Sequence, residues 1–165
     1  MANKTKDKMI ETYLLEDRQM HYRLAFSYVK NQEDALDIIQ ESACKALLSV
    51  DSLRDTAQVK SWYCRIIINT SLDFLRKRKR MVVMDEQLLC QLDTGAVDHY
   101  SNFDVNQALE QLPEEYRSVI VLRFFEDLKL AEIAEVLQEN VSTIKTRLYR
   151  SLKLLRLEID AEEVQ

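Results

Sequence analysis

A chain of 165 residues, 47% of them hydrophobic, carries enough apolar material for one medium domain or two small ones. One Gly and one Pro leave almost no turn residues, which excludes sheet-rich architectures and implies an all-α protein. A net charge of −5 argues against a general DNA coat protein, so the distribution of charge matters more than its total.

No apolar stretch follows Met1-Ala-Asn-Lys-Thr-Lys-Asp-Lys8, so no secretion signal is expected and the cytoplasm is the default location. No apolar run is long enough to span a membrane. A helix is predicted from about Glu16 to Val29, closed by Lys30-Asn31. Asn31 can cap the next helix, with Glu33, Asp34 and Asp37 near its positive end. That helix is expected to bury Ala35, Ile38, Ile39, Ala43, Ala46, Leu47 and Val50. Its opposite stripe is Asp34, Asp37, Gln40 and Glu41. Leu53 to Gln58 reads as a loop. A long helix from about Val59 to Lys79 should turn Val59, Trp62, Tyr63, Ile66, Ile67, Phe74 and Leu75 inward, and a basic run, Arg76 to Arg80, ends it.

The segment from about Val82 to Asp104 contains Gly95, several acids, no Lys or Arg, and weak periodicity, so a flexible linker is predicted. Val105 to Leu112 opens a second helical domain. Pro113 suits the first turn of a helix carrying Tyr116, Val119, Ile120, Leu122, Phe124 and Phe125. Leu130, Ile133, Ala134 and Leu137 then share one helical face, and after a short polar break Val141, Ile144, Leu148 and Leu152 share another that is expected to be buried. Two short amphipathic helices joined by a tight turn form a helix-turn-helix pattern. From Asn140 to Leu157 there is no acid, while Lys145, Arg147, Arg150, Lys153 and Arg156 are basic. Such a helix suits a DNA major groove, although basic helix ends also solvate a surface and complement the helix dipole.

Cys44, Cys64 and Cys90 show no Cys-x-x-Cys spacing and read as small apolar residues, while His21 and His99 stand isolated. No metal and no cofactor is therefore expected. No nucleophile paired with a base and no phosphate-cradling Gly loop point to an enzyme.

In chain order these segments resemble a bacterial RNA polymerase sigma factor of the extracytoplasmic-function (ECF) family. Asn31-Gln-Glu-Asp-Ala-Leu-Asp-Ile-Ile-Gln-Glu41 is similar to the family's region 2.2. Lys60-Ser-Trp-Tyr-Cys-Arg-Ile66 and Asn69-Thr-Ser-Leu-Asp-Phe-Leu-Arg76 are similar to regions 2.3 and 2.4. Leu112-Pro-Glu-Glu-Tyr-Arg-Ser-Val-Ile-Val-Leu-Arg123 is similar to region 4.1, and Glu132 to Leu137 with Thr143 to Arg150 to region 4.2. Tyr22 to Asp37 and Leu122 to Leu130 most resemble the SigV-like branch of Gram-positive bacteria.

The resemblance implies two small helical domains on a flexible linker: sigma region 2 over 1–84, the linker over 85–104 and sigma region 4 over 105–165. It implies three partners: core RNA polymerase (through its β′ clamp helices and β flap), promoter DNA, and a membrane-anchored anti-sigma factor that recruits the protein to the inner face of the membrane. Asp34, Asp37, Gln40 and Glu41 would meet the basic clamp helices. Leu53, Arg54 and Asp55 would line a pocket for a base flipped out of the −10 element, and Ser61, Arg65, Asn69, Asp73 and Arg76 would follow along the helix. Trp62 and Tyr63 belong to the apolar face, so core packing is expected of them rather than base stacking. Asn140, Thr143, Lys145, Thr146, Arg147, Tyr149 and Arg150 would meet the −35 element, with Arg150 or Lys145 reading bases. Genes of cell-envelope stress, including lysozyme defence, would be the targets.

Two departures stand out. Relatives often carry Gly in the region 4 turns where Asp127 and Gln138 stand, and Gln resists left-handed backbone, so Gln138 is expected in a different turn. Ile68 stands where many relatives are basic, which implies a weaker contact to the DNA backbone. The competing reading is a stand-alone helix-turn-helix regulator that binds duplex DNA as a dimer; it leaves the acidic stripe and the Arg54 loop unexplained. A purely structural helical adaptor leaves the basic helix unexplained.

Overall fold

In the computed structural model, residues 2–84 and 103–163 are described, with side chains over 4–84 and 107–156; every regular element among them is helical. The chain divides into two units, one within 1–97 and one within 98–165. Most of the predicted linker lies outside the described residues, and Phe103 and Asp104 already belong to a helix.

Four helices build the first unit: α1 (Ala2–Glu16), α2 (Arg18–Val29), α3 (Gln32–Leu48) and α4 (Val59–Met84). The break between α2 and α3 follows from local chemistry. Lys30 closes α2 in a left-handed conformation, its N–H bonded to the Phe26 carbonyl, and the Asn31 side chain accepts from the Asp34 N–H at 3.0 Å. Leu24, Ala25, Ala35, Ile38, Ala46, Tyr63, Cys64 and Ile67 are buried where α2, α3 and α4 meet.

The helix α1 carries only a short apolar cue, Met9-Ile10 and Tyr13-Leu14. Its Ile10 is nonetheless fully buried against Val50 and Leu53, with Met9, Leu14, Val59 and Trp62 packed around them. Lys6 Nζ donates to the Leu53 carbonyl at 3.1 Å. The predicted loop after α3 is two 3₁₀ turns, Val50–Ser52 and Thr56–Gln58.

The second unit holds α5 (Phe103–Gln111), α6 (Glu114–Ile120), a π-helical turn (Val121–Phe125), α7 (Leu130–Leu137) and α8 (Val141–Glu163). Leu109, Leu112 and Ile120 form a buried cluster with Tyr116, Phe125, Leu148 and Leu155 around it. In the π turn the Glu126 N–H reaches back five residues to the Val121 carbonyl at 3.0 Å. The wider turn shifts the helical phase, so Phe124 is 58% exposed rather than inward.

Three further burial expectations are corrected. Leu47 is 44% exposed, because α3 turns Ala46, not Leu47, onto its neighbours. Val141 is 46% and Leu152 40% exposed, because α8 seats itself on Ile144, Leu148, Ser151 and Leu155. Ser151 is fully buried, its hydroxyl 2.6 Å from the Arg147 carbonyl and 3.2 Å from the Tyr116 carbonyl; a small side chain there lets α6 and α8 approach closely.

The expectation for the helix-turn-helix turn is also corrected. Gln138 takes up left-handed backbone itself (φ 55°), as does Asp127 (φ 54°). The Gln138 and Glu139 N–H groups cap α7 by bonding to the Glu135 and Ala134 carbonyls. A left-handed non-glycine residue costs about 1–2 kcal/mol. Gln138→Gly removes that cost but adds unfolded-chain entropy, so a net gain of about 0.5–1 kcal/mol is expected. In a unit of this size that is a melting-temperature rise of roughly 2–8 °C, measurable by circular dichroism. An unchanged or lower melting temperature would show that the turn is not strained.

Candidate polymerase and nucleic-acid surfaces

Asp37 and Gln40 are exposed on α3 and make no ion pair or hydrogen bond among the described residues. Their two companions are engaged within the molecule. Asp34 Oδ2 lies 3.1 Å from Arg78 Nη1 on α4, with both side chains half-buried, and Glu41 pairs with Lys45 at 2.8 Å. Leu36 (46% exposed), Leu47 and Leu48 (89%) lie on the same helix. The acidic stripe is therefore an acidic and apolar face, a composition suited to protein docking. Sequence reasoning missed the leucines because the apolar periodicity of α3 assigns Leu47 to the core.

On α4, Arg65, Asn69, Asp73 and Arg76 are all exposed at spacings of four, four and three, which places them on one face. Arg76 Nη1 lies 3.3 Å from Asp73 Oδ1, with both side chains at least half exposed. Ser61 does not join this face: it is 8% exposed and its hydroxyl donates to the Gln58 carbonyl at 3.2 Å. Ile68 is 3% exposed and packs in the core, so no side chain reaches the surface from that position.

In the loop before α4, Leu53 is 2% exposed and belongs to the α1 cluster, so of the three predicted pocket residues Arg54 and Asp55 face solvent and Leu53 does not. Asp55 Oδ1 accepts from the Ala57 N–H at 2.9 Å and fixes the 3₁₀ turn. Trp62 packs against the same cluster and donates from Nε1 to Ser52 Oγ at 3.0 Å; Tyr63 is 1% exposed.

Tyr63 packs edge-on against His21, their ring centroids 4.7 Å apart, and Tyr13 lies 5.2 Å from His21. Burial holds the His21 imidazole down at about 4; Asp17 opposes that shift and Lys60 reinforces it. Its Nε2 is buried with no hydrogen-bond partner among the described residues.

At the start of α8 and along it, Asn140, Lys145, Thr146, Tyr149 (66%) and Arg150 are exposed and Thr143 is half-buried. Asn140 immediately precedes the helix and its carbonyl accepts from the Ile144 N–H at 3.0 Å. Arg147 is more enclosed: its side chain is 21% exposed, with Nη2 3.1 Å from Glu139 Oε1 and 3.7 Å from Glu115 Oε2. Glu115, Tyr116, Ser142, Thr143, Thr146, Arg147 and Arg150 together line an open concavity. Acids in a first helical turn have an ordinary role at the helix dipole, so the sequence carried no sign that Glu115 reaches Arg147.

No group of three or more His, Cys, Asp or Glu side chains among the described residues could hold a metal, and no described helix is long and apolar enough to cross a membrane.

A family model described as Sigma-70 region 2 matches residues 14–81, and one described as Sigma-70, region 4 matches residues 103–155. RNA polymerase sigma factor SigV of Bacillus subtilis (strain 168) is 51% identical over 160 residues, covering 97% of this chain and 96% of that protein. ECF RNA polymerase sigma factor SigW of the same organism is 30% identical over 84% of this chain and 82% of that protein. Among solved structures, the sigma factor RpoE in its co-crystal with the anti-sigma factor NepR from Bartonella quintana superposes with a TM-score of 0.80 at 23% identity, covering 91% of this chain and 96% of that one.

Proposed function

This chain belongs to the sigma-70 family as an RNA polymerase sigma factor of the extracytoplasmic-function type, and from that premise we propose how its surfaces divide the work of promoter recognition. A sigma factor binds core RNA polymerase and promoter DNA, and directs initiation. We read it as a specificity subunit with no chemistry of its own.

Sigma region 2 spans 1–84 in this reading, the linker 85–104, and sigma region 4 spans 105–165. The face of α3 carrying Asp37 and Gln40, with Asp34 and Glu41 beside them, docks on the basic β′ clamp helices. Carboxylates accept charge-assisted hydrogen bonds from such a surface, and the exposed leucines add apolar area. Arg54 and Asp55 sit at the mouth of the −10 pocket. Arg65, Asn69, Asp73 and Arg76 meet the opened strand; Asn69 can both donate to and accept from a base edge. Asn140, Thr143, Lys145, Thr146, Tyr149 and Arg150 meet the −35 duplex, and region 4 also contacts the β flap.

The resemblance to the SigV-like branch is the basis for reading the targets as envelope-stress genes, including those of lysozyme defence. It also supports a membrane-anchored anti-sigma factor that holds this otherwise cytoplasmic protein inactive at the inner face of the membrane.

The observation that carries the reading is the presence of two separate candidate DNA surfaces, one per unit, with a docking face on the first. A stand-alone regulator needs only the helix-turn-helix. Each surface alone is modest in charge, so affinity arises once polymerase fixes both units on one DNA. Permanganate and DNase footprinting test this. The complex with core polymerase is expected to protect both elements and expose reactive thymines at −10. The isolated protein should protect neither below micromolar concentration. Nanomolar protection by the protein alone would overturn the proposal in favour of the regulator.

A further inference from the structure

Among the cations of α8, Arg147 is set apart by its surroundings. Lys145, Arg150, Lys153 and Arg156 are exposed, whereas Arg147 is 21% exposed and sits between two carboxylates. Glu139 belongs to the turn between α7 and α8, and Glu115 to the first turn of α6. One guanidinium thus ties together three segments: the start of α6 and the recognition helix, which line the concavity, and the turn that begins at the left-handed Gln138.

The two ends of this tie are fixed independently. The Glu139 N–H is bonded to the Ala134 carbonyl at 3.0 Å, which anchors the turn to α7. The Arg147 carbonyl is 2.6 Å from the Ser151 hydroxyl, which is buried at the crossing with α6. Guanidinium suits such a role because its planar fork can serve two acceptors at once, which an ammonium does less well. For Nη2 to bond a base edge, it would have to leave a carboxylate at 3.1 Å, and that carboxylate would then face DNA without its partner.

We propose that Arg147 is a positioning residue for −35 recognition: paired with Glu139 and Glu115, it fixes the pitch of α8 in the groove, while base reading belongs to its exposed neighbours. The proposal rests on the reading of α8 as the −35 helix. It makes Glu139 and Glu115 part of the recognition apparatus although both would repel phosphate, and it removes Arg147 from the residues expected to touch the −35 element directly.

The test is a charge swap read out on sequence preference. Barcoded templates with six randomised base pairs at the −35 position are transcribed by core polymerase carrying each variant, and the enriched sequences are compared column by column. The wild type is expected to select a motif. Arg147→Glu and Glu139→Arg, each alone, should lower output about tenfold, the size of coupling found between residues in direct contact. The double variant should recover most of that output and select the same motif. Glu115→Gln with Glu139→Gln, which leaves the fold nearly isosteric, should lower all selected columns together.

A base-contacting Arg147 gives different results. The swapped pair would stay as inactive as Arg147→Glu alone, and Arg147→Lys would erase preference at one column while sparing the rest. Either result overturns the proposal, as would higher output from the Gln pair, which would mean that the carboxylates merely withhold Arg147 from DNA. Absence of any motif in the wild type is a separate result: it removes the −35 reading itself, and the proposal with it.

Discussion

Changing Asp37 to Arg is expected to lower the affinity for core polymerase about a hundredfold while leaving the melting transition within a degree of the wild type. The stability half of the expectation follows from exposure: Asp37 makes no ion pair or hydrogen bond among the described residues. The binding half follows from the proposed partner. Like charges brought together at an interface cost roughly 3 kcal/mol, and about 1.4 kcal/mol is a factor of ten. Asp34→Asn is the informative contrast. It breaks the 3.1 Å pair with Arg78, so it should lower stability as well as binding. Fluorescence anisotropy with labelled protein and purified core measures the first effect, and thermal denaturation the second. Undiminished core affinity for Asp37→Arg would remove α3 from the docking surface.

Acid should destabilise the first unit through His21. Its folded pKa is about 4 against an ordinary value of 6.5, so between those values the unfolded chain binds a proton that the folded chain refuses. Stability is therefore fully present above pH 6.5 and is lost as pH falls toward 4. The linkage amounts to about 2 kcal/mol by pH 5 and about 3 kcal/mol by pH 4. The cause is a ring that is 1% exposed, packed between Tyr13 and Tyr63, with no bond at Nε2. Urea denaturation of the wild type and of His21→Phe across pH 7.5 to 4 isolates the contribution, since carboxylates titrate in both. The variant is expected to lose about 3 kcal/mol less than the wild type over that interval. Parallel curves would show that His21 is not buried neutral.

The fold was most legible where apolar periodicity was strong and local. Leu130, Ile133, Ala134 and Leu137 mark a helix that runs from Leu130 to Leu137, and Asn31 caps α3 through its side chain. Legibility failed where a long-range partner decides the outcome. Leu53 looks like an exposed loop residue until α1 is laid over it, and α1 itself offers too few apolar positions to stand out. Phe124 follows the helical period on paper, but a π turn changes that period. Ser151 reads as a surface serine, yet it lies buried where two helices cross.

The candidate surfaces follow the same division. Arg65, Asn69, Asp73 and Arg76 share a face because helical spacing alone dictates it. Arg147 shares the spacing of a groove-facing residue, but its carboxylate partners lie 8 and 32 positions earlier in the chain. No local pattern encodes that pairing. Gln138 is a different failure: propensity spoke against left-handed backbone, and the geometry of the turn overrode it.

Run-off transcription with purified core polymerase, with and without this protein, on a template carrying a candidate envelope-stress promoter tests the central claim most directly. The account predicts a discrete transcript that requires the protein, is lost with Asp37→Arg, and is weakened roughly tenfold or more by Arg150→Ala, in line with the cost of a base-specific contact. Specific duplex binding by the protein alone, with no transcript from any template pool that includes its own host's promoters, would contradict it.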